Sequence, residues 1–593
     1  METGTTHAAQ VRTPGGGFLL GRTAPEAVFT PEDLTDEQRL VRRTAQQFVE
    51  DEVLPHTTAL EQHDWALTRR LIRRAGELGF LGADIPEAYG GSGLDKITGL
   101  AIKDAMGIGM SFSVSIGAHI GIGTLPIAFF GTEAQKRRYL PGLAAGTLIG
   151  AYALTEPTAG SDAMAIRTRA TRAADGGFVL DGTKQFISNA AFADVFTVFA
   201  KVDGEHHTAF IVERATPGLT VGPEEHKLGI RGSSTAPLIL EGVRVPAEGV
   251  LGEIGQGHKI AFNILNVGRF TLAAGVTGAA RHALRQVTDY ARARRQFNKA
   301  LVEFGLIRQK LARLATAIYV TESMVYRTGG LIADALGAQH QEPAQVMAAL
   351  EEYAVECSIN KVHASEMLDL VVDEMVQIYG GYGFIEDYPA ARAYRDARIN
   401  RIFEGTNEIN RLLIPGMLFR RAMKGRLDLL GAARTVADEM LAPAGGDGED
   451  RRALDEERRL VDAARKATLF AAGAAAQTYL TDLEQRQELL GWIADLVIET
   501  FAVESAVLRA AKAAGRGDAA ADLHAAMVRL ALDDALPRME ATARRILAAT
   551  AQGDALRTML AGLRRFLKVP AIDTVPVGRQ VAQAVIAAGG YPV

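Results

Sequence analysis

The sequence predicts a mainly α-helical protein with a central β domain and an additional helical domain beyond a linker. Apolar residues recur at helical spacing on both sides of a central stretch, most plainly at Phe304, Ile307, Leu311, Leu314 and Ile318, whose three- and four-residue intervals make one stripe. Between about Leu154 and Gly252 the texture changes to short β-branched and aromatic runs: Phe178-Val179-Leu180, Val195 to Val202 and Ala209-Phe210-Ile211-Val212, parted by turn residues. Pro443 to Asp450, PAGGDGED, is a break rich in Gly, Pro and acid, which is the composition of an exposed linker.

Taken in order, residues 1–34 form a lead-in. Its start, Met1 to Gly17, has neither the apolar core of a secretion signal nor the Arg-rich pattern of an import signal, and is expected to be disordered. Residues 35–150 are expected to be an N-terminal helical domain, with Leu40, Phe48, Val53, Leu54, Leu71, Ile72 and Leu78 at the apolar positions. Within it Ile116 to Phe130 is largely apolar but falls short of the ~20 residues a membrane span needs. With Gly117, Gly121, Gly123 and Pro126 it reads as a tightly packed, buried helix. Residues 151–257 make the β domain, where Asp181-Gly182 between two runs suits the positive φ angles of a hairpin turn. Residues 258–425 return to helix as a bundle, 443–450 are the linker, and 451–593 are Ala-rich and helical. There Leu469, Phe470, Trp492, Ile493, Leu496 and Val497 are spaced for a helix pair.

Composition excludes several functions. A chain of 593 residues is too long for one core and must divide into domains. Its 48% hydrophobic and 23% charged residues are those of a folded globular protein. Net charge is only −5 and no basic stripe is interleaved with aromatics, so nucleic acid is not an expected partner. The single cysteine, Cys357, cannot form an internal disulfide and reads as a small buried side chain, and no metal is expected. No strand leads into a G-x-G-x-x-G loop and helix, which excludes a Rossmann dehydrogenase; Gly90, Gly91 and Gly93 follow Pro86 as a loop.

Three segments carry chemistry. Ala151 to Asp162, AYALTEPTAGSD, opens the β domain with a loop whose amides and hydroxyls could hold a planar, hydrogen-bonding ring; alone, such a loop is more often a surface turn. Lys184 to Asn189, KQFISN, could set an aromatic face beside that ring, though alone it is an ordinary amphipathic strand. In Asp396 to Asn410, DARINRIFEGTNEIN, Glu404 precedes a helix that Thr406 could cap and Glu408 could favour through the dipole. A lone Glu there is usually solvated. Facing an apolar cavity instead, it would have its pKa raised toward ~6–7, where a general base works near neutral pH.

Together LTEPTAGSD, KQFISN, RRQF, QIYGGYG and RIFEGTNEI, in this order, resemble the acyl-CoA dehydrogenase family from about Thr35 to Arg420, and the added C-terminal domain resembles its very-long-chain branch and bacterial counterparts. The resemblance implies an N-terminal helical domain, a β-barrel-like middle domain and a C-terminal four-helix bundle, with FAD between the last two. It implies flavin contacts at Tyr152, Leu154, Thr155, Gly160, Ser161, Phe186 and Ser188, and pyrophosphate and adenine contacts at Arg294, Gln296 and Phe297. A neighbouring subunit would complete the site through Gln377, Gly380, Gly381, Thr406 and Glu408, which implies a homodimer or higher oligomer. Glu404 matches the base that removes the α proton, while the alternative family position, around Gly268, has no carboxylate. Ser161, Arg269 and Gly405 match substrate contacts; Arg269 could equally be a structural ion-pair partner.

The implied reaction is α,β-dehydrogenation of a fatty acyl-CoA to the trans-2-enoyl-CoA, with electron-transfer flavoprotein as acceptor. Small residues at Gly117, Ala118, Gly121 and Gly123 would leave room for a long chain, or would simply let helices approach closely. The sequence departs from the family at Phe186, usually Trp beside the flavin, at Ala190-Ala191, usually a Gly pair, and at Asn298, usually Gly. An acyl-CoA oxidase using oxygen and a non-catalytic scaffold on the same fold are the competing readings. The expected location is the bacterial cytoplasm, with the C-terminal domain either resting on the inner membrane face or packing on its dimer mate.

Overall fold

A computed structural model describes residues 12–337, 342–441, 454–568 and 571–593. The N-terminal region is helical: α1 (Asp36–Phe48), α2 (Thr57–Glu61), α3 (Trp65–Glu77), α4 (Lys96–Met106), α5 (Ser111–Ala118), α6 (Leu125–Phe130) and α7 (Glu133–Ala144). Its helix starts are set by side chains: Thr35 and Gln38 form a capping box on α1, Thr132 and Gln135 another on α7, and Asp95 accepts from the first amides of α4. Most of the expected apolar positions are core, but Leu40 is 56% exposed because α1 turns that face outward. The stretch from Ser111 to Phe130 is apolar enough to pass for a membrane span, yet it is two helices joined by a π turn at His119–Gly123, mostly buried within the chain.

The lead-in differs from expectation where it is described. Tyr353 donates to the Thr13 carbonyl, the Gly16 amide donates to Glu356 at 2.7 Å, and Phe18 and Leu19 are core, so residues from Thr13 onward are packed against the helices that follow the sheet.

Strands β1 (Gly150–Ala153), β2 (Arg169–Arg172), β3 (Phe178–Ser188), β4 (Val195–Val202), β5 (His206–Glu213), β6 (Leu219–Val221), β7 (Thr235–Val245) and β8 (Val250–Leu251) make one sheet in the order β6-β7-β3-β2-β4-β5-β8, with β1 parallel to β4. The hairpin expected at Asp181-Gly182 is not there. Both residues lie inside β3, where the pairing with β7 shifts register between Leu180 and Gly182. Gly242 bulges from β7 at φ 65° and its amide donates to the Asp181 carboxylate at 2.7 Å. Gly182 is needed for close approach, because a Cβ there would lie 2.6 Å from the Thr168 hydroxyl. The dipeptide thus serves a bulge in a long strand, a role with the same residue preference as a turn.

After the sheet come α8 (Gly257–Ala293), the short antiparallel pair β9 (Arg295–Gln296) and β10 (Lys299–Ala300), α9 (Gly305–Leu336), α10 (Pro343–Glu352), α11 (Ala354–Tyr379), α12 (Pro389–Ala397), α13 (Asn407–Met423) and α14 (Leu429–Leu441). The added region carries α15 (Asp455–Tyr479), α16 (Gln487–Arg516), α17 (Ala521–Thr550), α18 (Gly553–Phe566) and α19 (Thr574–Ala588), and α16, α17 and α19 pack on α9. The expected linker, Pro443 to Asp450, lies outside the described residues.

Candidate active site

Glu404 stands in a tight turn between α12 and α13, with Glu404 at φ 58° and Gly405 at φ 80°. Two left-handed residues in a row are strained for the glutamate, so the surroundings must impose them. Thr406 caps α13 by accepting from the Ile409 amide, and Glu408 lies in its first turn. The Asn410 amide group donates to the Gly405 carbonyl at 2.8 Å, and Arg269 from α8 donates to the Glu404 carbonyl at 3.3 Å while gripping Asn266 at 2.8 Å. Arg269 is therefore tied to the main chain of the base, and it bears on the site through that contact.

The turn delivers the carboxylate onto Gly268 of α8. A Cβ at Gly268 would lie 2.7 Å from Glu404 Oε1 and closer still to Oε2, so only glycine leaves room. Glu404 Oε2 is buried without a hydrogen-bond partner. Burial pushes the Glu404 carboxyl up to about 7, against the opposing charges of Arg269 and Lys361. Tyr152, buried on β1, has its phenol held well above its ordinary range by burial and then by the nearby Glu404. The Glu404 amide N–H donates to no acceptor among the described residues.

From the carboxylate an apolar channel of about 240 Å³ runs between α5, α8 and α11. Its α8 wall is a stripe from Gly268 through Leu272, Gly275, Ala279 and Ala283 to Gln286. Gly117, Ala118 and Gly121 line it opposite, and a Cβ on Gly117 or Gly121 would meet nothing within 4 Å. Gly123 is different: its Cβ would fall 2.6 Å from the Gly150 carbonyl, so this glycine serves helix–strand approach. A larger cleft of about 1040 Å³ lies between α9 and the added helices, away from Glu404. Size does not identify it as the reaction site, since most of its acids are paired, Glu366 and Asp495 with Arg411, Glu499 and Asp534 with Arg538.

At the head of the channel the two loop segments meet. Ser188 lines the channel with Glu404. The Gln185 amide donates to the Thr155 carbonyl at 2.8 Å, and the fully buried Lys184 bonds Glu156 at 2.7 Å and the Leu154 carbonyl at 3.3 Å. Glu156 also accepts from the Thr168 amide at 3.0 Å and hydroxyl at 2.5 Å. Burial raises the Glu156 carboxyl, but Lys184 and these hydrogen bonds outweigh it and hold it low. The pairing of β3 with β7 shifts again between Lys184 and Ile187, and the bulge turns Phe186 outward at φ 59° and 60% exposure. Gly160 and Ser161 are exposed on the neighbouring loop. An exposed aromatic ring on a rigid bulge beside an open Gly-Ser loop suits the face and edge of a flavin ring.

Arg294, Gln296 and Phe297 do not join this group. They lie past the C-terminal end of α8, roughly 39 Å along the helix from Gly268 at ~1.5 Å per residue. There Arg294 stacks over Tyr382 at 5.2 Å, and Tyr290 stacks on Tyr379 at 4.0 Å, which places the group beside Gln377, Gly380 and Gly381 at the end of α11. Phe297 is 88% exposed. Lys361, Asn410 and the Glu156–Lys184 pair are absent from the expected set, and no local sequence pattern on α11 marks Lys361.

Comparison with known proteins agrees with this geometry. The chain matches the family descriptions "Acyl-CoA dehydrogenase, N-terminal domain" over residues 35–147, "middle domain" over 151–243, and "C-terminal domain" over 255–418, with a second C-terminal description over 463–565. The chain belongs to the acyl-CoA dehydrogenase family, a class of FAD-dependent enzymes. It is 47% identical over 588 residues to a protein of Bacillus subtilis (strain 168) named a probable acyl-CoA dehydrogenase, covering 98% of each. It is 38% identical to the very long-chain specific mitochondrial acyl-CoA dehydrogenase of Bos taurus over 73% of this chain and 65% of that one. The crystal structure of an acyl-CoA dehydrogenase from Bacillus anthracis, complexed with FAD, superposes with a TM-score of 0.96 at 46% identity over 98% of this chain and all of that one.

Proposed function

We propose that this FAD-dependent acyl-CoA dehydrogenase oxidises long-chain fatty acyl-CoA to the trans-2-enoyl-CoA, with Glu404 removing the α proton. The observation that carries the reading is the Glu404 carboxylate: buried on Gly268 at the head of an apolar channel, and raised to about 7. A carboxylate left without a hydrogen-bond donor is a stronger base than one in water, and a base titrating near 7 is matched to work at neutral pH. The Glu404 amide, which has no acceptor among the described residues, would donate to the thioester oxygen and stabilise the enolate as the proton leaves. FAD would supply the acceptor for the hydride from the β carbon. Tyr152, Leu154, Thr155, Gly160, Ser161, Phe186 and Ser188 would hold its ring.

The stripe from Gly268 to Gln286 runs roughly 27 Å along α8 at ~1.5 Å per residue and is lined by small and apolar side chains, which supports a long acyl chain lying along it. Arg294, Gln296 and Phe297 lie past the far end of α8 from Gly268 and beside Gln377, Gly380 and Gly381, which supports a homodimer in which each copy completes the other's site. Electron-transfer flavoprotein as acceptor, the cytoplasm as location and a membrane-facing C-terminal domain are parts of the same proposal.

The test is anaerobic titration of purified holoenzyme with acyl-CoAs of graded length. Flavin bleaching is expected, strongest for long chains and slowed about 10²–10⁴-fold in Glu404→Gln. Because the base works ionised and its carboxyl is raised, the bleaching rate should climb as pH rises through about 7 and level off above it. Undiminished bleaching in Glu404→Gln would remove Glu404 from the role.

A further inference from the structure

The Glu404 turn is held from beneath by a lysine that the reaction above does not use. Lys361 on α11 has no exposed surface and lies among core neighbours Ile359, Val362 and Ala364. Lysines are seldom wholly buried unless paired. This one donates to two neutral acceptors, the Gly405 carbonyl and Asn407 Oδ1, each at 2.7 Å. Asn407 is itself fixed, its amide group donating to Ser365 at 3.1 Å and Glu366 at 3.0 Å. Glu366 is matched by Arg411 at 2.7 Å, so it does not balance the ammonium. Four charged groups act on Lys361: Glu404 most strongly, then Arg269, Glu366 and Glu408. Arg269 from α8 and Lys361 from α11 are the cations that face Glu404, and Tyr152 faces it from β1.

We propose that Lys361 is a positioning residue for the base: its ammonium clamps the Gly405 carbonyl so that the Glu404 side chain stays over Gly268, and its unbalanced charge favours the ionised carboxylate in a site that burial would otherwise neutralise. The clamp acts where it matters most, because Gly405 and Glu404 are the two left-handed residues. Arg269 and Asn410 hold the same turn from its other side. Burial draws the Lys361 ammonium down to about 8 while Glu404 opposes that fall, so each of the two charges sustains the other. The inference rests on Glu404 being the base.

The experiment follows anaerobic bleaching of holoenzyme by saturating palmitoyl-CoA from pH 5.5 to 9.5, in wild type, Lys361→Met, Lys361→Arg and Asn407→Asp. In Lys361→Met the acid limb should move up by about one pH unit, a roughly fivefold loss at pH 7 that is regained near pH 9. Asn407→Asp sets a carboxylate on the same ammonium and should move the limb the same way. Lys361→Arg keeps the charge and should leave the limb in place. An equal loss at every pH in the Met and Asp variants would mean that Lys361 only supports the fold, and an unmoved limb would likewise overturn the proposal. If Lys361→Met does not fold, Asn407→Asp decides. Failure of the underlying reading looks different, since Glu404→Gln would then bleach.

Discussion

Glu404 and Gly268 fit each other as a side chain and the space reserved for it. The carboxylate rests on the α8 backbone at the one position whose Cβ would overlap both of its oxygens. Gly268→Ala should therefore leave the flavin segments intact but push the carboxylate off its mark. A displacement of about 1 Å from the reacting carbon costs on the order of 10²-fold in rate. The expected result is normal flavin content with bleaching slowed by about that factor, and an undiminished rate would show that the carboxylate works from another position. Glu404, Gly405 and Thr406 were legible in the sequence because the preceding glutamate, the cap Thr406 and the first-turn acid Glu408 fall within five residues. Lys361 was not, because its partners lie forty-odd residues away at the turn into a different helix and nothing local marks them.

Strand β3 shows why local signals fix an element more surely than its ending. The β-branched and aromatic runs place the strands, but Asp181-Gly182, which locally reads as a turn, accommodates a bulge, and the difference lies in a partner strand the dipeptide does not reveal. The second bulge, at Gln185-Phe186, is what presents Phe186, and it is anchored by the flanking Lys184. Lys184 is wholly buried, and burial draws its ammonium down to about 8 against the pull of Glu156. Replacing it with methionine would strand the Glu156 carboxylate in the interior, a change that typically costs about 3–5 kcal/mol. Lys184→Met should release flavin at a clearly lower urea concentration than wild type, followed by the return of flavin fluorescence. Release at the wild-type midpoint would show that the loop does not depend on the pair.

The chain as a whole is drawn together by buried charge. Arg509 of α16, 1% exposed, reaches Glu32 ahead of α1 at 2.5 Å and Glu322 of α9 at 2.9 Å, with its guanidinium 4.5 Å over the Tyr319 ring. Glu322 also pairs with Arg281 of α8 and accepts from Tyr591 near the C-terminal end at 2.9 Å. Beside it, Arg327 of α9 and Arg465 of α15 share Glu504 at 2.9 and 2.6 Å. The added helices are thus keyed to the catalytic region by ion pairs that must form together, a pattern invisible to apolar periodicity, which located the helices but not what joins them. Being buried, these pairs are only weakly screened by salt. Removing the shared cation leaves Glu32 without its partner and Glu322 with Arg281 alone, so Arg509→Met should weaken the junction by about 3–5 kcal/mol while leaving the Glu404 channel untouched. Calorimetry of the holoenzyme should then split, with the added region melting ahead of the flavin-holding region, and bleaching at 25 °C should remain within about twofold of wild type. A single transition at the wild-type temperature would mean that apolar packing of α16, α17 and α19 on α9 suffices to hold the two regions together.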